Sequence, residues 1–176
     1  MSDKMKMVLN EKFDIPDNEF KKWSKYGFSR DEAKDWWEEG FSVKEAIDWI
    51  EWGFSYGEAA RWKRAGFKPG KAAEWDDWDF EPEEARLWVK VTVKNPEEAF
   101  LLADYGVTPQ EYVKWRKAGV KDVEDIVKWV ILGVTPQKVV KYLKRGYSPD
   151  DVAEIEFRKR GKGIKKSGYS FGGDWW

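Results

Sequence analysis

The stretch Gly40-Phe41-Ser42-Val43-Lys44-Glu45-Ala46-Ile47-Asp48-Trp49-Ile50-Glu51-Trp52 runs straight into Gly53-Phe54-Ser55, where the same thirteen-residue pattern begins again. Gly27-Phe28-Ser29 opens the copy before it and Gly66-Phe67-Lys68 the copy after it. Gly106-Val107-Thr108, Gly133-Val134-Thr135 and Gly146-Tyr147-Ser148 carry the rhythm further. An Ala and, three residues on, a Trp follow each early glycine: Ala33 and Trp36, Ala46 and Trp49, Ala59 and Trp62, Ala72 and Trp75. Later copies place Ala85 and Trp88, Ala99 and Leu102, Tyr112 and Trp115, Ile126 and Trp129, Val139 and Tyr142, and Val152 and Ile155 there, and an earlier one has Phe20 and Trp23. Eleven units lie between about Asp14 and Arg160.

Each unit spells a short helix with both ends written in. Glycine suits the left-handed residue just past a helix C-terminus, where a Cβ costs energy. Ser or Thr two residues later caps the next helix, and Ser29 with Glu32, Ser42 with Glu45 and Ser55 with Glu58 form capping boxes. Proline at 69, 82, 96, 109, 136 and 149 takes the first helical position. The apolar residue before each cap pairs as a staple with the fourth helical residue, as Phe28 does with Ala33 and Phe41 with Ala46.

The resulting helix of about nine residues is too short to persist alone in water, so its neighbours must hold it. Ala, Trp and the large residue three places on (Tyr26, Trp52, Trp78, Tyr105, Leu132) define a buried stripe, with Trp52 and Trp78 half in the core. A buried Trp contributes about 4 to 6 kcal/mol by area before entropy is subtracted. The fold expected is all-α, a compact α-solenoid of about eleven short single-helix repeats of roughly 13 residues around a Trp-rich core, with a flexible C-terminal tail.

Val89-Lys90-Val91-Thr92-Val93-Lys94 interrupts the pattern: it alternates, lacks the glycine, and fits a longer helix or a short extended segment. It marks a boundary between lobes. The organisation expected is an N-terminal extension (1–13), an acidic repeat lobe (14–92), a basic repeat lobe (93–160) and a Gly/aromatic tail (161–176).

The chain of 176 residues holds 32 Lys and Arg, 33 Asp and Glu, and neither His nor Cys. Imidazole bases, thiol nucleophiles, Cys/His zinc sites and disulfides are therefore excluded. No glycine-rich phosphate loop or nucleophile elbow is present. A noncatalytic protein without cofactor or metal is expected; Glu74 to Glu84, with seven acids, reads as a helix end followed by a favourable helix start rather than a calcium loop. No apolar run is long enough for a membrane span and the N-terminus lacks a signal-peptide core, which predicts a soluble, cytoplasmic protein. Thirteen Trp, many charges of both signs and few Asn and Gln predict a thermophilic origin.

Charge is unevenly distributed: residues 1–105 hold 17 bases and 24 acids, whereas 106–176 hold 15 bases and 9 acids. In the basic lobe, Lys138, Lys141, Lys144 and Arg145 cluster. Beyond them Arg158, Lys159, Arg160, Lys162, Lys165 and Lys166 precede Tyr169, Phe171, Trp175 and Trp176, a combination suited to phosphate contacts with base stacking or to a partner's groove. Trp37 points about 100° away from Trp36 around its helix and is the candidate protein contact. These features predict a scaffold that docks into a protein or ribonucleoprotein assembly, or onto copies of itself, and, as the alternative, a nucleic-acid-binding protein using the C-terminal region.

Overall fold

The computed structural model describes residues 14–164, with side chains through residue 159. These residues form eleven helices and no strand: α1 (Asp17–Ser24), α2 (Arg30–Glu38), α3 (Val43–Glu51), α4 (Tyr56–Ala65), α5 (Pro69–Asp76), α6 (Pro82–Lys90), α7 (Pro96–Asp104), α8 (Pro109–Ala118), α9 (Val123–Ile131), α10 (Pro136–Leu143) and α11 (Pro149–Ile164). The fold is an all-helical repeat of solenoid type. Ser29, Ser42, Ser55 and Thr108 form complete capping boxes with Glu32, Glu45, Glu58 and Glu111.

The phenylalanine of each Gly-Phe-Ser joins two helices at once. At the end of α2, Phe41 N–H donates to Trp36 O at 3.1 Å and Gly40 N–H to Trp37 O at 3.0 Å, the two bonds of a Schellman turn. That turn brings the Phe41 ring edge-on to Trp36, with centroids 5.0 Å apart. The same ring lies 6.4 Å from Trp49 of α3. Phe54 repeats this between Trp49 and Trp62, and Phe67 between Trp62 and Trp75. The core of the first repeats is thus a chain of alternating Trp and Phe rings in T-shaped contact, over a column of fully buried alanines.

Three expectations need correction. The third stripe position is not core in most repeats: Tyr26 is 65% exposed, Trp52 57%, Tyr105 42% and Trp78 36%, while Leu132 is half-buried. Trp52 and Tyr105 are C-cap residues, where the chain has already left helical geometry and turns outward. The space on the buried face belongs to the residue after the glycine, which the Schellman turn folds inward. Next, Val89 to Lys94 is neither a longer helix nor extended: α6 ends at Lys90, Thr92 takes the left-handed position at φ 75°, and Val93 N–H closes the usual turn onto Trp88 O at 3.1 Å. Finally, Ile155 of the last repeat is exposed rather than core, and α11 continues through Gly161 to Ile164.

The chain divides into two compact units on either side of the Arg86–Leu87 bond. In the second unit the most extensive helix packing is between second neighbours, α7 on α9, α9 on α11, and α8 on α10, and Trp129 of α9 also stacks on Tyr142 of α10. Alternate repeats therefore build two layers, α7, α9 and α11 in one, α8 and α10 in the other. Trp88 of α6 meets Tyr112 of α8 at 6.5 Å between centroids, which adds the end of α6 to the second layer. In the first unit, sequential contacts (α1 on α2, α3 on α4, α4 on α5) accompany second-neighbour ones. Trp36 of α2 meets Tyr56 of α4, and the Trp52 ring at the end of α3 covers Gly70 of α5.

Candidate functional site

Lys138 and Lys141 lie on α10, Lys144 caps its C-terminus and Arg145 follows; all four are exposed. Their spacing of three, three and one places them along one side of the helix. None makes an ion pair among the described residues. α10 has no acid, and α8 has only Glu111, whose carboxylate accepts from Thr108 N–H at 3.0 Å and from the Thr108 hydroxyl at 3.1 Å. The backbone bond from Thr108 holds that carboxyl below its ordinary range.

The packing of α8 on α10 widens this cluster. Lys114 and Lys117 precede Lys141 and Lys144 by 27 residues each, so they occupy the same positions one layer-step back. A Cβ on Gly119, just past α8, would lie 3.5 Å from Leu143 at the end of α10, which puts the two C-terminal ends side by side. Lys90, the last residue of α6, precedes Lys117 by another 27. All are exposed. Sequence reading missed Lys90, Lys114 and Lys117 because the signal is a period of two repeats, whereas the obvious one is thirteen.

The other layer of this unit is chemically different. α7, α9 and α11 carry Glu97, Glu98, Asp104, Glu124, Asp125, Asp150, Asp151, Glu154 and Glu156. Their bases with described side chains are paired: Lys128 with Asp150 at 3.0 Å, Arg158 with Glu154 at 2.5 Å, and Lys159 with Glu156 at 2.8 Å. The bonds from Asp150 and Glu156 raise the Lys128 and Lys159 ammonium groups above their ordinary value. Arg158 and Lys159, expected to act with the α10 cluster, are thus engaged by carboxylates of their own helix. Arg160 and Lys162 fall in α11 but their side chains lie outside the described residues, as do Lys165, Lys166, Tyr169, Phe171, Trp175 and Trp176 altogether.

In the first unit, Trp37 is 36% exposed on α2. The acidic stretch after α5 is organised by Arg61, which donates to Glu81 at 2.7 Å and Glu83 at 2.9 Å. Beside it, a cleft of about 220 Å³ is lined by Glu58, Arg61, Asp76, Asp79 and Glu81. Burial, then the charges of Glu58, Asp77, Asp79 and Glu81, push the Asp76 carboxyl up. Among the described residues no group of three or more acids is placed to hold a metal ion, and no helix is long and apolar enough to cross a membrane.

Comparison of the chain with protein-family models, with curated proteins and with solved structures finds no match in any of the three.

Proposed function

We propose that this chain is a noncatalytic binding protein, a helical-repeat scaffold that docks into a larger assembly through its charged surface. The observation that supports this reading is the sorting of charge by layer in residues 87–159. Bases without an ion pair among the described residues stand on α8 and α10, whose one acid is the capping Glu111, while the other carboxylates stand on α7, α9 and α11. The core alone does not call for such sorting, since folding is indifferent to which exposed face bears which sign, whereas a charged partner is steered and oriented by it. Among the described residues, the cleft of about 370 Å³ where Glu111 and Lys114 are the charged groups brings together no nucleophile, base and orienting group.

Affinity capture from the source cell, using the full chain and a variant with Lys138, Lys141, Lys144 and Arg145 changed to Gln, tests the reading. We expect a defined set of partners that the variant loses while its circular dichroism and melting stay unchanged. Identical sets, or none, would refute it. A thermophilic source belongs to the same proposal: the purified chain should remain folded beyond the mesophile range of about 45 to 65 °C.

A further inference from the structure

We infer that the layer formed by the end of α6 with α8 and α10 is a surface for the phosphate backbone of a nucleic acid. This rests on the binding reading above and names its partner. Lys90, Lys117 and Lys144 recur at 27-residue intervals, and Lys114, Lys141 and Arg145 flank them. Adjacent packed helices lie about 8 to 10 Å apart, so the three rows reach across about 20 Å. A duplex presents one charge per about 1.7 Å of axis, which gives such a face roughly a dozen phosphates to meet.

Two contrasts separate nucleic acid from an acidic protein. The first is the state of the bases: on this layer they form no ion pair among the described residues and Lys114 alone has a carboxylate, Glu111, in its field, whereas on the other layer Lys128, Arg158 and Lys159 are ion-paired. The second is the distribution of apolar surface. α8 and α10 expose no large apolar side chain and the end of α6 exposes Leu87 and Val89, while the other layer exposes Phe100, Tyr105, Ile131, Ile155 and Phe157. Protein interfaces build on apolar and aromatic centres and are depleted in Lys, whereas backbone binding to nucleic acid is carried by charge alone. A lysine row whose exposed apolar side chains are confined to the α6 edge, with none on α8 or α10, fits the second chemistry. Its contacts are those of charge with the phosphate backbone, so the binding expected is largely indifferent to sequence.

The test uses the full chain and fluorescence anisotropy, with labelled poly(U), a mixed-sequence DNA duplex, poly-glutamate and vesicles of anionic phospholipid as separate probes, at about 20 mM to 200 mM salt. Two triple variants lose the same charge: Lys117, Lys141 and Lys144 to Gln on this layer, and Lys128, Arg158 and Lys159 to Gln on the other. Expected is binding of poly(U) or duplex at least tenfold tighter than of poly-glutamate or vesicles. The first triple variant should weaken it at least tenfold and flatten the log–log salt slope by about two, while the second changes affinity less than twofold. Equal loss in both variants, or no nucleic-acid binding at low salt, overturns the inference. Preference for poly-glutamate or vesicles, lost in the first variant, overturns the nucleic acid and leaves the scaffold reading standing. Melting curves for both variants establish that the fold is intact.

Discussion

Gly53 and Thr92 occupy the same place in their repeats and adopt the same left-handed conformation, at φ 87° and 75°. A Cβ at Gly53 meets nothing within 4 Å, so the glycine is there for backbone freedom and not for space. Thr92, β-branched, carries that strain in full. Thr92→Gly is therefore expected to stabilise the protein by about 1 kcal/mol and Gly53→Ala to destabilise it by about 1 to 2, read as shifts in denaturant midpoint at constant slope. A destabilised Thr92→Gly variant would mean the threonine side chain makes a compensating contact. The tryptophans divide equally sharply. Trp49 is 3% exposed and touches Phe41 and Phe54, whereas Trp37, 36% exposed, stands at the surface of α2. Trp49→Ala should cost about 3 to 5 kcal/mol and Trp37→Ala less than half of that. Comparable losses would place Trp37 in the core after all.

Four helices, α2, α3, α4 and α8, are held at their starts by capping-box carboxylates, and this makes those elements sensitive to acid. Glu45 accepts from Ser42 N–H and its hydroxyl at 2.9 Å and 2.8 Å and from Lys63 at 3.0 Å. The Ser42 backbone bond, then Lys63, pushes its carboxyl down to about 2 from an ordinary 4.5. Folding thus favours the ionised form, so the stability it contributes is complete above pH 4.5 and is lost as pH falls toward 2. Because the side chain is 46% exposed, solvent screening keeps that contribution near about 1 kcal/mol, the usual value of a cap. Glu45→Gln should be less stable than the parent by about this amount at pH 7, and the gap should close between pH 4.5 and 2 in urea titrations at each pH. A gap that persists at pH 2 would assign the loss to packing. These ends were legible in the sequence, since Gly, Ser and Glu at fixed offsets specify a turn and a cap by local chemistry. The third stripe was not, because Trp52 and Tyr105 keep helical spacing in the sequence while the Schellman turn swings them out.

At the scale of the molecule, the repeat period hides the layer period. The helices repeat the same two core positions, Ala and Trp in the early copies, so thirteen-residue spacing alone stacks them in sequence, yet the most extensive helix packing in residues 87–164 is between second neighbours. The clue was in the residues outside the core: exposed Tyr26, Trp52, Trp78 and Tyr105 alternate with Glu39 and half-buried Ala65, Val91 and Ala118, and the lysines recur at 27. Burial imposes the short period, because every repeat faces the core. The long one reflects which side of the stack a repeat stands on, and only surface residues record it. A stack of this kind transmits a perturbation through adjoining repeats and no further, as expected for quasi-one-dimensional architectures. Trp129, fully buried in α9, stacks on Tyr142 at 5.4 Å, and α9 packs on α7 and α11. Trp129→Ala should therefore lower native-state hydrogen-exchange protection in α7, α9, α10 and α11 while leaving α1 to α4 close to the parent. Trp49→Ala should produce the reverse pattern, with protection lost around α3 and retained around α9. Uniform loss along the whole chain in either variant would show a single cooperative unit and rule out propagation by neighbours.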